Sequence, residues 1–301
     1  MKAFDVVILT DDRYVELTER SWYCLQVMLE DELLVDALTQ AGLKVCVKSW
    51  SDPEFDWSQT RSVLFSSTWD YFDHYAKFSQ WFDATTKVTQ MINPAATITW
   101  NMDKHYLLDL QQRGINTVET HIIKRGSETP LSQWFEQLGY GEAIVKPTIS
   151  GAARHTYRVN AGNVQELEPQ LQSLIMNEDF MIQPFQNNII KHGELSLMVM
   201  GGTFTHAVKK VAAAGDFRVQ DDHGGQVFPY IPSAEEIEFA QQAVAACEPA
   251  PLYARVDMIR DNQDQLAIME LELIEPELFF RYCRPATQQL AKAVVAWLNH
   301  E

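Results

Sequence analysis

The sequence is poor in cysteine, in positive charge and in long apolar runs, and each shortage excludes a class of protein. Its 301 residues include only four cysteines, Cys24, Cys46, Cys247 and Cys283, and none of them lies in a C-x-x-C pair. This spacing argues against a structural zinc site and against a disulfide framework. We therefore expect reduced thiols in a cytoplasmic protein.

Two further shortages bear on the partners of the protein. No run of about 18 apolar residues occurs, and the start of the chain lacks the pattern of a signal peptide, so no membrane association is expected. Lysine and arginine number 24 against 41 aspartates and glutamates, which gives a formal net charge of -17 at pH 7. A field of this sign repels nucleic-acid backbones, so nucleic-acid binding is not expected. A small anion could still bind in a locally basic pocket.

The first part of the chain has the pattern of a parallel α/β lobe. An apolar strand is followed by a helix that ends at Gly42 and by two more strands, over residues 4–9, 29–41, 43–47 and 61–66. Strand, helix and strand joined by short connections are typical of a parallel sheet. We place the end of this lobe near Asn93.

The rest of the chain mixes helices and strands without that alternation. Asn101 is expected to cap a helix over 102–113, and Ser233 with Glu236 has capping-box spacing for a helix to about Cys247. Strands are predicted at 143–147, 180–185, 253–259 and 266–273, in addition to a strand-rich stretch from 194 and a last helix from 285. The chain is therefore predicted to form an α/β lobe at 1–95 and two α+β lobes at 96–185 and 186–301.

The predicted hairpin near the end of the chain concentrates charge on one face. Residues two apart in a strand point the same way. If the turn is centred on residues 263–264, Asp257 lies opposite Glu270, and Arg255 lies opposite Glu272. Three close carboxylates repel one another unless a cation lies between them, and ligands of oxygen alone suit Mg²⁺ or Mn²⁺. A solvated hairpin face with incidental charges is the alternative.

Lysines and small residues upstream could bind the phosphates that accompany such a metal. Lys146 lies inside the apolar run 143–147, where a lysine is costly unless it meets an anion; a structural lysine that extends to solvent is the alternative. The small residues that follow, from 148 to 155, could bring backbone N–H groups to phosphate oxygens, although an ordinary loop would look the same. Lys104, in the first turn of its predicted helix, is a weaker candidate.

A third segment combines cations and glycines. Lys209 and Lys210 precede the pattern G-x-x-R-x-Q at 215–220 and the pair Gly224-Gly225. This composition fits an anion-binding lid that orders when ligand binds. A mobile surface loop is the alternative.

In their order and spacing, these segments resemble ATP-grasp enzymes of the glutathione synthetase-like group over residues 93–278. They are most similar to the ligases that close the ring of D-cycloserine, the O-ureido-serine cyclo-ligases. The resemblance implies an ATP-grasp fold, in which a parallel pre-ATP-grasp lobe precedes two α+β lobes that clamp ATP. It also implies an ADP-forming carbon–nitrogen ligase that uses ATP and Mg²⁺ or Mn²⁺ and acts on a small-molecule carboxylate and an amine, and it suggests a homodimer.

The resemblance assigns roles residue by residue. The nucleotide would be held by two lysines for the α- and β-phosphates, a small-residue loop, a hinge for adenine and a carboxylate for ribose. These correspond to Lys104 and Lys146, to Ser150, Gly151 and Ala152, to Gln183, Pro184 and Phe185, and to Glu194. For catalysis, Arg218 would stabilise the transferred phosphoryl group and Arg255 an oxyanion. The metal ligands would be Asp257, Glu270 and Glu272.

The sequence departs from the family pattern at two of these positions. Many members carry asparagine where Glu272 stands, and the hinge often carries glutamate where Gln183 stands. The extra charge at Glu272 should still favour Mg²⁺, whereas the change at Gln183 weakens the assignment of the hinge.

Substrate contacts are expected at the carboxyl ends of the first strands. Trp69, Asp70 and Tyr71 follow a strand and are similar to a W-D-Y segment of the D-cycloserine-ligase-like sequences. A polar loop with Trp69 and Tyr71 anchored at a lobe interface is the alternative. The other candidates for substrate contact are Asp12, Arg154, Gly224 and Gly225.

The expected reaction follows from charge. A carboxylate is a poor electrophile, and transfer of the γ-phosphoryl group converts it into an acyl phosphate with a good leaving group, which an amine then attacks. Two alternatives stay open: a kinase of the same fold that phosphorylates a hydroxyl, and a nucleotide-binding protein without turnover.

Overall fold

The structure, a computed structural model, describes residues 2–15, 21–213 and 224–299, and its strands form three sheets. In chain order the strands are β1 Phe4–Thr10, β2 Val45–Ser49, β3 Thr60–Phe65, β4 Gln90–Ile92, β5 His121–Ile123, β6 Glu142–Pro147, β7 Tyr157–Asn160, β8 Phe180–Pro184, β9 Glu194–Met200, β10 Thr203–Val211, β11 Gln226–Tyr230, β12 Tyr253–Arg260 and β13 Leu266–Glu272. The helices are α1 Asp12–Val15, α2 Trp22–Gln40, α3 Tyr75–Thr85, α4 Ala95–Asn101, α5 Tyr106–Gln112, α6 Leu131–Leu138, α7 Val164–Ile175, α8 Asn188–His192, α9 Ala234–Ala245 and α10 Pro285–Asn299.

The N-terminal sheet is parallel, as predicted, with the order β2-β1-β3-β4. Residues 6–9 of β1 are fully buried, since both faces of a parallel sheet are covered. Helix α2 is longer than predicted because it begins after Ser21, whose side chain accepts a hydrogen bond from the Cys24 amide. Gly42, with a φ of 89°, follows its end as expected.

The prediction of a helix over 102–113 with Asn101 as its cap is wrong. Asn101 is the last residue of α4, and α5 begins only at Tyr106. The Asn101 side chain bonds instead to the backbone of Leu271 and Leu273, at the end of β13. Lys104 therefore lies in the turn between two helices, where it is buried.

The second sheet, β5-β8-β6-β7, is antiparallel and is packed by α6 and α7. The third sheet has the order β11-β10-β9-β12-β13, with α9 behind it. The predicted capping box of α9 is confirmed, with the Glu236 amide 3.2 Å from Ser233 Oγ and the Ser233 amide 2.7 Å from Glu236 Oε2. The sheets fall within residues 4–92, 121–184 and 194–272, and the lobe boundaries at 1–95, 96–185 and 186–301 stay a prediction.

The hairpin of β12 and β13 has the predicted register at the end that carries the charged residues. Arg255 pairs with Glu272, and Asp257 pairs with Glu270. A β-bulge follows directly after Asp257, so the pairing shifts by one residue toward the turn. The two faces of the hairpin therefore keep the predicted alternation only at the end that carries the charges.

One core cluster joins the first and third sheets. It combines Val6 and Leu34 of the N-terminal lobe with Met198 of β9 and Leu290 of α10. Over the described ranges, no helix has both the length and the apolar character that crossing a membrane requires.

Candidate active site

A cavity of about 450 Å³ is lined by side chains from all three parts of the chain. Lys146 reaches it from β6, Lys210 from β10, and Asp257 and Glu270 from the hairpin, while Trp69 follows β3. Residues that lie far apart in the sequence therefore surround one space, because connecting segments of the N-terminal part meet strands of the second and third sheets there.

The hairpin carboxylates are each in contact with a cation. Asp257 lies 2.8 Å from Nη2 of Arg255 and 3.2 Å from Nζ of Lys210, and it also accepts a hydrogen bond from Ser196 Oγ. Glu272 contacts the same guanidinium. Glu270 Oε1 lies 2.5 Å from Nζ of Lys146.

These contacts set the protonation of the group. Burial disfavours the charge of Asp257, but Arg255 and Lys210 outweigh it and hold the pKa of Asp257 well below its usual range. Lys104 and Lys146 likewise lower the pKa of Glu270 to about 2 against burial. Burial raises the pKa of Glu272 to about 8 although Arg255 opposes it, and the charge of Asp257 adds to the rise. The cluster is thus locally neutralised despite its many carboxylates.

The donor set fits a magnesium ion chemically, since it offers carboxylate oxygens alone on one face. Among the residues that the structure describes, however, no group of three or more His, Cys, Asp or Glu side chains is arranged as metal ligands. The carboxylates point instead to the cations beside them, which play the neutralising part that a metal would take. The predicted trio of Asp257, Glu270 and Glu272 therefore stays a prediction.

The two predicted phosphate lysines lie on either side of one loop. Lys146 is buried, and its ammonium ends on Glu270 rather than in solvent, which argues against the structural alternative. The Lys104 amide donates to the Thr148 carbonyl at 2.9 Å, and its ammonium contacts the Ser150 carbonyl. Both lysines therefore flank the loop that follows β6.

That loop is closely fitted. Ala152 and Ala153 have φ angles of 47° and 54° and His155 one of 48°, in the left-handed region that costs non-glycine residues energy. A Cβ on Gly151 would lie 2.5 Å from Cε1 of Phe72. Residues 150–154 of the loop line the cavity, so its strained backbone lies directly beside the space that a ligand would occupy.

The predicted adenine hinge lies at the end of β8, beside β6. The Gln183 side chain donates to Thr120 Oγ1 at 2.9 Å, and the Phe185 amide donates to the Glu142 carbonyl at 2.9 Å. The Pro184 carbonyl accepts a hydrogen bond from Gln186 Nε2 at 3.0 Å, and the Phe185 carbonyl accepts one from Asn262 Nδ2 at 2.8 Å. Each of these backbone groups of the predicted hinge therefore already has a partner within the protein.

Glu194, predicted for the ribose, lines the cavity and is buried. Its Oε1 lies 3.0 Å from Nζ of Lys210. Burial raises the pKa of Glu194, and Lys210 opposes that shift.

The substrate candidates divide into two groups. Trp69 and Arg154 line the cavity; Trp69 Nε1 donates to the Glu275 carbonyl at 2.8 Å, and Arg154 pairs with Glu178. The described residues that line the cavity do not include the other candidates, Asp12, Asp70, Tyr71, Gly224 and Gly225.

Packing explains why two of these candidates do not reach the cavity. Tyr71 is buried in an aromatic core against Phe78, and Asp70 accepts a hydrogen bond from Trp50 Nε1 at 2.6 Å. Arg218, with Gly215 and Gln220, lies outside the described residues.

Several charged residues of the cavity are missing from the predicted site. Lys210 is predicted only as part of an anion-binding segment, whereas the structure places it in β10, opposite Glu194. Glu275 and Glu277 follow β13 and also line the cavity, and burial raises the pKa of Glu275 to about 7. Arg13, which follows the first strand beside the substrate candidate Asp12 and shares its prediction, lines the cavity and pairs with Asp11 at 2.5 Å.

Comparisons with known proteins agree with the fold. A profile described as "RimK-like ATP-grasp domain" matches residues 102–278, and one described as "D-cycloserine synthetase DcsG, N-terminal domain" matches residues 6–93. The cycloserine biosynthesis protein DcsG of Streptomyces lavendulae is 27% identical over 286 residues, which cover 88% of this chain and 93% of that protein.

Solved structures show the same fold at lower identity. The crystal structure of D-cycloserine synthetase DcsG superposes with a TM-score of 0.86 at 24% identity, over 97% of this chain and 99% of that one. D-alanine–D-alanine ligase from Bacillus anthracis, complexed with ATP, gives 0.64 at 13% identity, over 99% and 98% of the two chains. The ATP-grasp ligase PsnB, complexed with Mg and ADP, gives 0.66 at 13% identity, over 97% and 98%.

Proposed function

Because the chain belongs to the RimK-like ATP-grasp family, we propose that it is an ATP-dependent ligase that activates a carboxylate of a small amino-acid-like substrate as an acyl phosphate. The buried array of Asp257, Glu270 and Glu272 against Arg255 and Lys146 carries this proposal. Such a dense set of opposite charges in a cavity suits a ligand that is itself strongly anionic and metal-bound.

Lys104 and Lys146 would hold the α- and β-phosphates of ATP, beside the loop of Ser150, Gly151 and Ala152. Lys146 already makes a short ion pair with Glu270. When ATP binds, a phosphate oxygen would replace Glu270 as the partner of Lys146. The new ion pair would compensate for the loss of the old one.

The adenine would lie at the hinge of Gln183, Pro184 and Phe185, with Glu194 toward the ribose. The Pro184 carbonyl, which accepts a hydrogen bond from the Gln186 side chain at 3.0 Å, and the Gln186 amide are the groups that would read the adenine edge. Glu194 is held in place by Lys210.

Asp257, Glu270 and Glu272 would hold Mg²⁺ or Mn²⁺. When bound, the metal supplies positive charge that neutralises phosphate oxygens. The chain's own cations add to this: Arg255 would face the carbonyl that becomes an oxyanion, and Arg218 would stabilise the transferred phosphoryl group.

The bond changes are those of acyl activation. A carboxylate oxygen of the substrate attacks the γ-phosphorus, the bond to the bridging oxygen breaks, and ADP leaves. An amine then attacks the acyl carbon, and inorganic phosphate leaves. No side-chain nucleophile is needed, since positioning and electrostatic stabilisation supply the catalysis.

The relatives suggest the substrate class. One is named for cycloserine biosynthesis and another is a D-alanine–D-alanine ligase, and both names point to small amino acids. The amine would come either from a second molecule or from the same one, in a ring closure. We also propose the three lobes, 1–95, 96–185 and 186–301, as the units that surround the substrates.

The test is a panel of amino acids and O-ureido-serine, with and without an added amine or hydroxylamine. ADP and free phosphate would be measured together, and hydroxylamine would trap an acyl phosphate as a hydroxamate. Phosphate release that needs a carboxylate, with hydroxamate formation, is the expected result. ADP with a phosphorylated product and no free phosphate would instead indicate a kinase.

A further inference from the structure

Strand β13, which carries Glu270 and Glu272, is the last strand of its sheet. Within the described parts of the chain, its outer edge pairs with no other strand apart from a single bridge between Thr117 and Ile268. Leu271 and Leu273 on this stretch are buried, and buried backbone groups need partners. Side chains supply them here.

The Leu273 carbonyl accepts a hydrogen bond from Asn93 Nδ2 at 3.0 Å, and the other partners come from one short segment. Asn101 Nδ2 donates to the Leu271 carbonyl at 2.7 Å, and the Leu273 amide donates to Asn101 Oδ1 at 3.2 Å. The Leu271 amide donates to the Tyr106 hydroxyl at 2.9 Å. The carboxamide of Asn101 therefore substitutes for a neighbouring strand, since it offers both a donor and an acceptor at this place.

These bonds hold the peptide groups on both sides of Glu272 and the one that follows Glu270. A side chain leaves its Cα in a direction that the two flanking peptides fix, so their restraint fixes where the carboxylates point. Asn101 and Tyr106 are both buried, and neither belongs to the set of residues that line the cavity. Their contacts are with the strand, not with the space that a ligand would occupy.

The same segment touches the phosphate side of the site. Lys104 lies between Asn101 and Tyr106, and its amide donates to the Thr148 carbonyl at 2.9 Å while its ammonium contacts the Ser150 carbonyl. Residues 101–106 thus contact both the carboxylate strand and the loop after β6. These contacts also explain why the predicted helix over 102–113 does not begin after Asn101. Residues 102–105 lie outside both helices, and α5 begins only at Tyr106.

We infer that Asn101 and Tyr106 are positioning residues that orient Glu270 and Glu272 for a divalent metal. The inference rests on the proposed function, because the metal and its nucleotide belong to it. Residues that orient metal ligands from behind usually matter for metal affinity by about 10–100-fold.

Metal binding without turnover gives the sharpest test. Mn²⁺ would be titrated into the full-length protein with saturating ADP, and free Mn²⁺ would be followed by electron paramagnetic resonance. Asn101→Ala and Tyr106→Phe should each weaken Mn²⁺ binding by about 10–100-fold. Asn116→Ala is the matched control, since Asn116 Nδ2 also bonds to the edge of β13, at the Leu266 carbonyl 2.8 Å away, near the turn and not beside the carboxylates.

The possible results distinguish a failure of the positioning role from a failure of the proposed metal site. A purely structural role would lower the melting temperature of all three variants but leave Mn²⁺ affinity unchanged, and unchanged affinity in both Asn101→Ala and Tyr106→Phe overturns the inference. If circular dichroism shows that Asn101→Ala does not fold, Tyr106→Phe decides alone. Absence of Mn²⁺ binding to the wild-type protein with ADP would overturn the metal site of the proposed function itself.

Discussion

At the residue scale, the site is a set of charges that neutralise one another. Glu270 and Lys146 form an ion pair of 2.5 Å, and both lie on strands whose neighbours are apolar. Such a pair is costly to bury and is retained where it serves a ligand. Replacing either partner should therefore affect activity and stability in different ways.

Glu270→Gln should lower ATP turnover by roughly 10²–10³-fold, because it removes the charge of one of the three proposed metal ligands. Glutamine keeps the size of the side chain, so the fold should persist. Steady-state ADP formation at saturating Mg²⁺ measures the effect, with Glu166→Gln on the exposed side of α7 as the control. Near wild-type turnover in Glu270→Gln would place the metal elsewhere.

Lys146→Met should weaken nucleotide affinity and also lower the free energy of unfolding without ligand, by roughly 1–3 kcal/mol, because Glu270 loses its nearest cation. The double variant Lys146→Met with Glu270→Gln should recover most of that stability. Urea denaturation of the wild-type protein, the two single variants and the double variant measures the coupling free energy between Lys146 and Glu270. Additive losses in the double variant would mean that the ion pair contributes nothing in the folded state.

At the element scale, the sequence allowed the hairpin to be predicted but not its surroundings. The alternation of Arg255 with Asp257 and of Glu270 with Glu272 follows from strand geometry, so the register of the charged end was predictable. The bulge after Asp257 and the role of Asn101 depend on contacts between distant segments. No local pattern carries them, because helix-capping residues and strand-edge partners use the same side chains.

The same limit applies to the substrate residues. Trp69 and Tyr71 are close aromatic residues in one segment, yet only Trp69 lines the cavity while Tyr71 completes an aromatic core. The Tyr71 ring is buried because it packs against Phe78 of α3, a helix that was not predicted. The cavity could therefore be located from the sequence, but its lining could not be completed.

The loop after β6 depends on a close contact with the N-terminal part of the chain. Gly151→Ala should push against the ring of Phe72 and destabilise the protein by roughly 1–3 kcal/mol, as overpacking does, and nucleotide affinity should fall with it. Phe72→Leu in the same chain should restore part of both losses, since it vacates the space that the new methyl group needs. Calorimetric titration with ADP and thermal melts would report the two effects.

Gly141→Ala is the matched control for this loop. A Cβ at Gly141 would meet nothing within 4 Å, and its φ lies outside the left-handed region, so neither a steric clash nor backbone strain is expected there. The control variant should bind ADP as the wild-type protein does. A loss of nucleotide affinity in Gly141→Ala as large as in Gly151→Ala would contradict the account of the loop.

At the scale of the whole molecule, the N-terminal lobe is packed into the rest of the chain rather than tethered to it. Glu30 of α2 accepts hydrogen bonds from the Leu278 and Phe280 amides, so a buried carboxylate holds the segment after β13. Burial raises the pKa of Glu30 to about 8 and that of the neighbouring Asp31 to about 7. The stability of the molecule should therefore depend on pH.

Asp31 gives the cleaner test, since its side chain meets only the Ser66 hydroxyl at 2.8 Å among the bonds described. An acid whose pKa is raised by folding stabilises the protein at low pH, and this contribution is lost as the pH rises from about 4 to about 7. Asp31→Asn should raise the free energy of unfolding at pH 8 by roughly 1–3 kcal/mol and have little effect at pH 4.

Urea denaturation at both pH values measures this difference. Glu32→Gln, at an exposed neighbouring position of α2, removes a charge without burial and should show no such dependence. Equal effects of Asp31→Asn at the two pH values would mean that the Asp31 carboxyl titrates normally in the folded protein.

The proposed function requires that ATP activates a carboxylate of the substrate, and transfer of an oxygen isotope from that carboxylate to phosphate reports this step. A carboxylate that supports phosphate release would be labelled with ¹⁸O at both oxygens and turned over with ATP, Mg²⁺ and the amine. The released phosphate would then be analysed by mass spectrometry. An acyl phosphate intermediate predicts one ¹⁸O in each released phosphate; phosphate without label, or a phosphoryl group retained on a hydroxyl of the product, would contradict it.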